Sequence, residues 1–180
     1  QALAIKPDFA EAHNNLGIAL QELGQLDAAL KSHKKAIAIK PDYAEAHNNL
    51  GIALKSLGQL DASIKSCKQA LAIKPDFAEA HNNLGIALKS LGQLDAALKN
   101  YEQALAIKPD YAEAHNNLGI TLQELGQLDA ALKSHKKALA IKPDYAEAHN
   151  NLGIALKDLG QLDAAVKSYE QALAIKPDFA

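Results

Sequence analysis

Residues 7–17 read P-D-F-A-E-A-H-N-N-L-G, a stretch of acidic, small and amide side chains that recurs along the chain. With Phe or Tyr in third place, the same stretch begins again at Pro41, Pro75, Pro109 and Pro143. The spacing is 34 residues throughout, and a sixth proline, Pro177, follows at the same interval. A fixed period of this length is typical of a solenoid, whose units contact only their neighbours. The repeat therefore predicts stacked units without one central core, and it favours an interaction surface over a catalytic pocket.

The first half of each unit predicts a helix, which in the first unit runs from about Phe9 to Leu23. Asp8 is the expected N-cap, with Glu11 closing a capping box. Gly24 follows where a left-handed residue after a helix is favoured. Helical spacing gives this helix a buried stripe, which consists of Ala12, Leu16, Ala19, Leu20 and Leu23.

The second half predicts another helix, with Asp27 as its expected N-cap and an end before Pro41. Its inward stripe consists of Leu26, Ala29, Leu30, His33, Ala36 and Ile37. Gly17 lies in the middle of the first helix, where a glycine costs about 1 kcal/mol relative to alanine. We therefore expect the second helix to cross close to Gly17, opposite Ala29.

The composition excludes several classes of partner. The chain has 180 residues, a net charge of −2 and 19 basic residues, all of them lysine. A mixed surface without arginine gives no support for binding to nucleic acid or to an anionic membrane. No apolar run approaches the ~20 residues that span a bilayer. Cys67 is the only cysteine, which is consistent with a reducing compartment, so we expect a cytoplasmic protein.

The titratable residues predict neither a metal site nor an active site. One histidine recurs per unit, as His13, His47, His81, His115 and His149. Neighbours one repeat apart could hardly share a zinc ion, because Zn–N bonds are only ~2 Å long. Cys67, like His33 and His135, occupies a place in the second-helix stripe and is expected to be a buried packing residue. The sequence contains no phosphate-binding glycine loop, so we predict a chain without cofactor and without catalysis.

These repeats resemble the tetratricopeptide repeat, whose signature is W-x2-L-G-x2-Y, followed by A-x3-F, A and P. The matching residues of the first unit are Leu16, Gly17, Ala29, Ala36 and Pro41, with His13, Leu20 and His33 in the three aromatic places. Tyr101 and Tyr169 restore an aromatic residue in the last of those places. The resemblance implies an all-α, right-handed superhelical solenoid of antiparallel helix pairs, with a protein or peptide held in a concave groove that the first helices line.

The resemblance covers nearly the whole chain as a single array. It consists of a partial repeat at 1–9 and five repeats at 10–43, 44–77, 78–111, 112–145 and 146–179. The first ten residues are identical to the last ten, so we expect a segment of a longer array. A natural origin by recent duplication and a designed consensus array both remain open.

Two adjacent asparagines per unit are the candidate binding residues. One ladder consists of Asn14, Asn48, Asn82, Asn116 and Asn150, and the other of Asn15, Asn49, Asn83, Asn117 and Asn151. An amide side chain can pair with both the N–H and the C=O of an extended peptide, without reading its side chains. The motif A-H-N-N-L-G is similar to the repeat arm of protein O-linked N-acetylglucosamine transferase, whose asparagine ladder binds peptides. The alternative is that one asparagine per unit bonds to the adjacent unit and stiffens the array.

Selectivity for particular peptides is expected near the end of each first helix, where the residues vary between units. The varying residues are Gln21, Lys55, Lys89, Gln123 and Lys157. Glutamates recur near the groove at Glu11 and its equivalents, so a clamp for a peptide C-terminal carboxylate is not expected.

Three functions remain after these exclusions. The first is a protein-interaction scaffold, and the second is the substrate-recognition arm of a larger glycosyltransferase-type enzyme. The third is a structural array that associates head to tail, because the last second helix is expected to expose a stripe including Leu162, Val166, Tyr169 and Leu173.

Overall fold

The computed structural model describes residues 9–177, and in that range the chain forms ten α-helices and no strand. In chain order the helices are α1 (Ala10–Glu22), α2 (Leu26–Ile39), α3 (Ala44–Ser56), α4 (Leu60–Ile73), α5 (Ala78–Ser90), α6 (Leu94–Ile107), α7 (Ala112–Glu124), α8 (Leu128–Ile141), α9 (Ala146–Asp158) and α10 (Leu162–Ile175). Odd numbers mark the first helix of a repeat and even numbers the second. The predicted all-α class and the pairing of helices are confirmed.

The helices fall into two compact units, Gln1–Gln93 and Leu94–Ala180. The first unit contains α1 to α5, and the second contains α6 to α10. Within each unit, a first helix packs against the second helix of its own repeat, and that second helix packs against the next first helix. Contacts between neighbours in the chain therefore build each unit, as in a solenoid.

The turn inside each repeat is a Schellman motif. In the first repeat, Gly24 has φ 72°, and its N–H donates to the carbonyl of Gln21 at 2.9 Å. The N–H of Gln25 donates to the carbonyl of Leu20 at 2.8 Å, which is the second bond of this motif. The left-handed glycine expected from the sequence is confirmed.

The second helix begins earlier than the sequence suggests, so the prediction that Asp27 is its N-cap is wrong. Gln25 occupies the cap position, and Asp27 lies inside the first turn. The carbonyl of Gln25 already accepts the first helical bond, from the N–H of Ala29 at 3.0 Å. In the first turn, the carboxylate of Asp27 still faces the positive end of the helix dipole.

The turn between repeats contains Asp42, the counterpart of the Asp8 that is predicted to cap the first helix. Tyr43 is the N-cap of α3, with φ −88° and ψ 88°, and no side chain caps this end. The N–H of Tyr43 donates to the carbonyl of Lys40 at 3.2 Å, which leaves Pro41 and Asp42 as the central residues of a β-turn. The aspartate is therefore a turn residue. Asp8, its counterpart before α1, lies outside the described residues.

A lysine and an aromatic ring at the two ends of this turn make a cation–π contact. The Nζ of Lys40 lies 5.0 Å from the centre of the Tyr43 ring. The equivalent pairs are Lys74–Phe77 at 4.9 Å, Lys108–Tyr111 at 4.8 Å and Lys142–Tyr145 at 4.8 Å. Such a cation–π contact contributes about 0.5–1 kcal/mol at an exposed site. The contact therefore links the C-cap residue of a second helix to the N-cap residue of the next first helix.

The recurring mid-helix glycine makes room for a side chain of the second helix. A Cβ atom at Gly17 would lie 2.5 Å from Cε1 of His33, and one at Gly51 would lie 2.7 Å from Sγ of Cys67. The expected close approach is confirmed, but the closest group comes from one turn beyond Ala29. Packing is tight in the inner repeats, where Leu84 is 4% exposed. At α1 the predicted buried stripe is wrong, because no described helix precedes α1 to cover it. Leu16 and Leu23 are 41% and 71% exposed, Ala19 is exposed, and Ala12 and Leu20 are half-buried.

Candidate functional site

The first helices form one face of each unit. Their Cα atoms come within 8 Å between α1 and α3, between α3 and α5, and between α7 and α9. The second helices of neighbouring repeats do not approach one another this closely within either unit. We call the surface of the first helices the inner face and that of the second helices the outer face. Both predicted asparagine ladders lie on the first helices.

The first asparagine ladder is buried below the inner face. Exposure is 3% for Asn14, 5% for Asn48, 4% for Asn82 and 3% for Asn116. Asn150, in the last repeat, is half-buried. A buried amide needs hydrogen-bond partners, and the next repeat supplies one of them.

The second ladder donates to the first across the repeat boundary. The Nδ2–Oδ1 distances are 3.2 Å from Asn49 to Asn14, 3.0 Å from Asn83 to Asn48 and 3.2 Å from Asn151 to Asn116. Asn15 is exposed, whereas Asn49, Asn83, Asn117 and Asn151 are half-buried. One N–H of each donor amide is thus used between repeats. Contact of these amides with a peptide stays a prediction.

A buried histidine completes the cluster in the first repeat. Nδ1 of His33 lies 3.1 Å from Oδ1 of Asn14. That oxygen also accepts the N–H of Asn49, so the proton of the neutral ring lies on Nδ1 and is donated to Asn14. Nε2 is then the acceptor, and it lies 2.7 Å from Oε1 of Gln21, so the Gln21 amide must be turned to place its NH2 group there as the donor. Burial lowers the pKa of His33 to about 4, so the ring is neutral at pH 7.

The fourth repeat contains the same cluster with one difference. Nδ1 of His135 lies 3.0 Å from Oδ1 of Asn116, and burial again lowers the pKa of the ring to about 4. Gln123, however, donates to Asp158 of α9 at 2.7 Å. Nε2 of His135 is buried without a hydrogen-bond partner in the described part of the chain. Gln21 and Gln123, which occupy equivalent positions, therefore bond in different ways.

The predicted lysines occupy three different environments at the inner face. Lys55 lines a small cavity of about 20 Å³ together with Ile52, Asn83 and Ile86. Lys89, in the equivalent position on α5, is half-buried, and Lys157 on α9 is exposed. The structure therefore brings Lys55 together with one residue of the asparagine ladder.

A larger cavity lies in the second unit, between α6, α7 and α8. Its volume is about 610 Å³. Leu105, Leu118 and Ile141 contribute apolar lining, and Glu102 and Lys133 stand at its edge. The sequence did not indicate this cavity, because each of these residues is an ordinary member of its helix. Most of its lining comes from the second helices α6 and α8, and no asparagine of either ladder lines it.

The repeated histidines hold the turns between repeats. Nε2–H of His47 donates to the carbonyl of Pro41 at 3.0 Å. The same bond joins His81 to Pro75 at 3.1 Å, His115 to Pro109 at 3.0 Å and His149 to Pro143 at 2.9 Å. Each ring therefore fixes the turn that precedes its own repeat.

The remaining buried groups are held in their neutral forms. Cys67 is fully buried, and this burial raises the pKa of its thiol to about 11. Burial also raises the pKa of the Tyr101 phenol, which lies inside α6. Among residues 9–177, no three His, Cys, Asp or Glu side chains are arranged to hold a metal ion. None of the described helices combines the length and the apolar character needed to cross a membrane.

Solved structures share this fold. The thermophilic TPR protein TTC0263 of Thermus thermophilus is 29% identical with a TM-score of 0.83, covering 94% of this chain and 93% of that one. MamA is 28% identical with a TM-score of 0.76, covering 89% and 94%. YrrB, a TPR protein with an unusual peptide-binding site, is 23% identical with a TM-score of 0.71, covering 99% and 92%, and at this identity it shows the fold alone. None of the three is described as a glycosyltransferase arm, so similarity to that arm stays a prediction.

Family models give the same assignment from the sequence. No curated protein matches the chain significantly. Models of the tetratricopeptide repeat match residues 110–178 and 1–31. A further model, described as TPR repeat, matches residues 21–58, 53–92 and 87–126, which is more than half of the chain. The chain therefore belongs to the tetratricopeptide repeat family.

Proposed function

We propose that the chain is a non-catalytic interaction scaffold that holds an extended segment of a partner protein along its inner face. One observation carries this proposal. The half-buried amides of Asn49, Asn83 and Asn151 each use one N–H between repeats. Each retains a second N–H and a carbonyl that make no further hydrogen bond within the described residues. In the first unit these groups recur 34 residues apart, at Asn49 and Asn83.

The chemistry of these amides suits a peptide backbone. A primary amide offers two donors and one acceptor oxygen, and an extended chain presents N–H and C=O groups at regular intervals. Each such bond contributes about 0.5–1.5 kcal/mol, so several are needed for useful affinity. A repeated array supplies several such hydrogen bonds, and they do not depend on the side-chain sequence of the bound peptide.

The buried titratable groups support a scaffold rather than an enzyme. His33, His135 and Cys67 are all enclosed and neutral at pH 7. A nucleophile or general base must reach its substrate with a pKa near the working pH. These side chains fill space beneath the mid-helix glycines instead.

The decisive experiment is a peptide-array screen of the parent chain and an inner-face variant. The variant carries Asn→Ala at Asn15, Asn49, Asn83, Asn117 and Asn151. A matched control removes exposed amides from the outer face by Gln→Ala at Gln69, Gln103 and Gln171. Circular dichroism first establishes that both variants fold. We expect the parent and the control to bind many extended peptides, and the inner-face variant to bind far fewer. Equal binding by all three proteins would overturn the proposal.

A second candidate function is head-to-tail association of copies of this chain. Val166 on α10 is 54% exposed, whereas the equivalent Leu30 on α2 is 8% exposed because α3 covers it. Leu162 and Leu173 extend the exposed stripe at 61% and 49%. Tyr169, expected in the same stripe, is half-buried and lies at Gly153.

The proposed occupant of the α10 stripe is α1 of a second copy. Leu16 of α1 is 41% exposed, whereas its equivalent on α3, Leu50, is 8% exposed and packs with Leu30. Docking α1 on α10 would repeat the contact that already joins α2 to α3. A heterologous contact of this kind propagates instead of closing. The recognition-arm hypothesis rests on the A-H-N-N-L-G motif alone and adds no further residue to the site.

A further inference from the structure

The cavity between α6, α7 and α8 uncovers an apolar side chain that other repeats bury. Leu118 of α7 lines the cavity and is half-buried. The equivalent residues on α3, α5 and α9 are Leu50, Leu84 and Leu152, which are only 8%, 4% and 8% exposed. The opening of about 610 Å³ therefore lies where the array elsewhere has a covered core position.

Three helices of one compact unit bound this cavity. Among the described residues of the second unit, α6 and α8 each pack against α7 and do not pack against each other. Leu105 lines the cavity from α6, Leu118 from α7 and Ile141 from α8. The space between the two second helices is thus lined by aliphatic side chains on three sides.

Charged side chains flank this apolar lining unevenly. Lys133 and Lys137 lie one turn apart on the same face of α8, and Glu102 lies on α6. All three residues are exposed, and none of their side chains makes a hydrogen bond or an ion pair within residues 9–177. The lining therefore carries an excess of positive charge, and that excess lies on α8.

The ammonium group of Lys137 acts on the wall of the cavity. His115 lines the cavity, and its Nε2–H donates to the carbonyl of Pro109 at 3.0 Å. Burial lowers the pKa of the His115 ring, the bond to Pro109 opposes this effect, and the positive charge of Lys137 lowers the pKa further. The charged end of Lys137 is therefore within electrostatic reach of a residue that lines the cavity, and the ring itself is neutral at pH 7.

The size of the cavity favours a small molecule over a protein partner. Small-molecule sites commonly enclose about 300–1,000 Å³ and are mostly apolar, with a few polar groups that fix orientation. A stable protein partner buries about 800 Å² on each side. Ala106, Pro109 and Ala140 make up part of the lining, and these short side chains offer little area to a protein surface.

We infer that this cavity binds an amphiphilic monocarboxylate, which is a small molecule with an aliphatic chain and one carboxylate. The chain rests on Leu105, Leu118 and Ile141, and the carboxylate lies beside Lys137, with Lys133 one turn away. Removal of the chain from water supplies most of the binding free energy. The exposed ammonium groups add a smaller preference for an anion. The site shares no residue with the asparagine ladders, so it is independent of the proposed function.

The test is a methyl NMR titration of the chain with octanoate, octan-1-ol and octylammonium at low salt. Assigned methyl groups of Leu118 and Ile141 report on the cavity, and those of the buried Leu50 should stay unchanged. We expect octanoate to bind up to about five-fold more tightly than octan-1-ol, and octylammonium to bind most weakly. Hexanoate should bind up to about four-fold more weakly for each methylene removed. Added salt should reduce the preference for octanoate.

A charge variant separates the ammonium groups from the apolar lining. Lys133→Gln with Lys137→Gln should abolish the preference for octanoate and leave the binding of octan-1-ol unchanged. The matched control is Lys31→Gln with Lys35→Gln, which makes the same change at the equivalent exposed positions of α2. The control should keep the preference, because the total charge of the chain changes equally in both variants.

A second variant fills the cavity itself. Ala140→Phe should weaken octanoate and octan-1-ol alike, because the ring occupies the space beside Leu118. Ala174→Phe makes the same change at the equivalent exposed position of α10, which does not line this cavity, and it should leave both affinities unchanged. Tm is measured for every variant to show that the fold remains.

Four outcomes overturn the inference. One is the absence of any shift at Leu118 and Ile141 with octanoate at millimolar concentration. Another is a preference for octanoate that is absent in the parent chain or survives Lys133→Gln with Lys137→Gln. Tighter binding of octylammonium would mean that Glu102 sets the charge of the ligand. Tighter binding of acetylated trileucine with a free carboxylate would assign the cavity to a peptide chain end. The peptide-array screen of the asparagine ladders is unaffected by each of these results.

Discussion

Asn49 donates a hydrogen bond from Nδ2 to Oδ1 of Asn14 across 3.2 Å, and so joins the first helices of two successive repeats. The same oxygen accepts the Nδ1 proton of His33 at 3.1 Å. One buried carbonyl therefore receives a proton donor from its own repeat and another from the next. This arrangement makes the asparagine ladders part of the framework as well as candidates for binding.

Replacement of Asn49 by alanine should lower stability, because Asn14 would lose one of its partners. A net loss of about 1–2 kcal/mol is expected for a hydrogen bond to a buried amide. For a chain of this size that corresponds to a decrease in Tm of roughly 2–8 °C. Asn15→Ala is the control, because Asn15 is exposed, and it should leave Tm nearly unchanged. Thermal unfolding followed by circular dichroism measures both, and equal effects would show that the bond contributes nothing.

Stability should fall as the pH is lowered from about 6.5 to about 4. Burial lowers the pKa of His33 and of His135 to about 4, below the 6.5 of an exposed ring. Between these values the unfolded chain takes up protons that the folded chain does not, so the free energy of unfolding decreases. Above pH 6.5 the neutral rings cost no stability. Between pH 6.5 and 4 the free energy of unfolding should fall by up to about 3 kcal/mol for each ring. Urea unfolding at a series of pH values measures it.

A natural control exists for this pH dependence, since the second repeat has Cys67 where the first has His33. The variant His33→Cys should reduce the dependence between pH 6.5 and 4 by about half, and His33→Cys with His135→Cys should remove most of it. Unchanged curves in the double variant would assign the effect to other groups.

Gly51→Ala should destabilise the second repeat even though alanine favours helices. The new Cβ would lie 2.7 Å from Sγ of Cys67 and 3.3 Å from the carbonyl oxygen of Ser63. Overpacking of this kind costs about 1–3 kcal/mol, which exceeds the ~1 kcal/mol gain in helix propensity. Cys67→Ala in the same chain should recover much of the loss, because it removes the closest atom. If the two substitutions are additive in chemical unfolding, Cys67 is not the obstacle.

Val166→Glu should prevent head-to-tail association if copies dock through α10. The substitution places a charge in the middle of the exposed stripe, where α1 of a second copy would bury it at a cost of several kcal/mol. Light scattering of the parent chain should show a mass that rises with concentration, and the variant should stay monomeric. A parent chain that is monomeric over a wide concentration range would exclude this function.

The helices and their order could be predicted because short-range chemistry decides them. The 34-residue period, the left-handed Gly24 and the close approach at Gly17 follow from the spacing of proline, glycine and apolar residues. The cap predicted at Asp27 was wrong. That aspartate was assigned from preference alone, whereas the hydrogen bond from Ala29 to the carbonyl of Gln25 decides where the helix begins.

The contacts between repeats could be predicted only in part. Adjacent asparagines suggested either a peptide ladder or a bond to the next unit, and the bond from Asn49 to Asn14 needs the relative position of two helices. The bond from His47 to Pro41 joins residues only six positions apart, so it could have been proposed from the sequence. The unlike bonding of Gln21 and Gln123 depends on Asp158 in a neighbouring helix.

The 35-residue offset between donor and acceptor asparagines bears on how such a chain can change its length. Duplication or loss of one whole 34-residue repeat keeps this offset at every junction, so each buried Asn14-type carbonyl in the interior finds a donor again. A partial insertion inside a first helix would instead turn the donor asparagine away from this carbonyl. The asparagine pair therefore favours changes in chain length by complete repeats, because gene duplication of a whole repeat preserves this hydrogen bond.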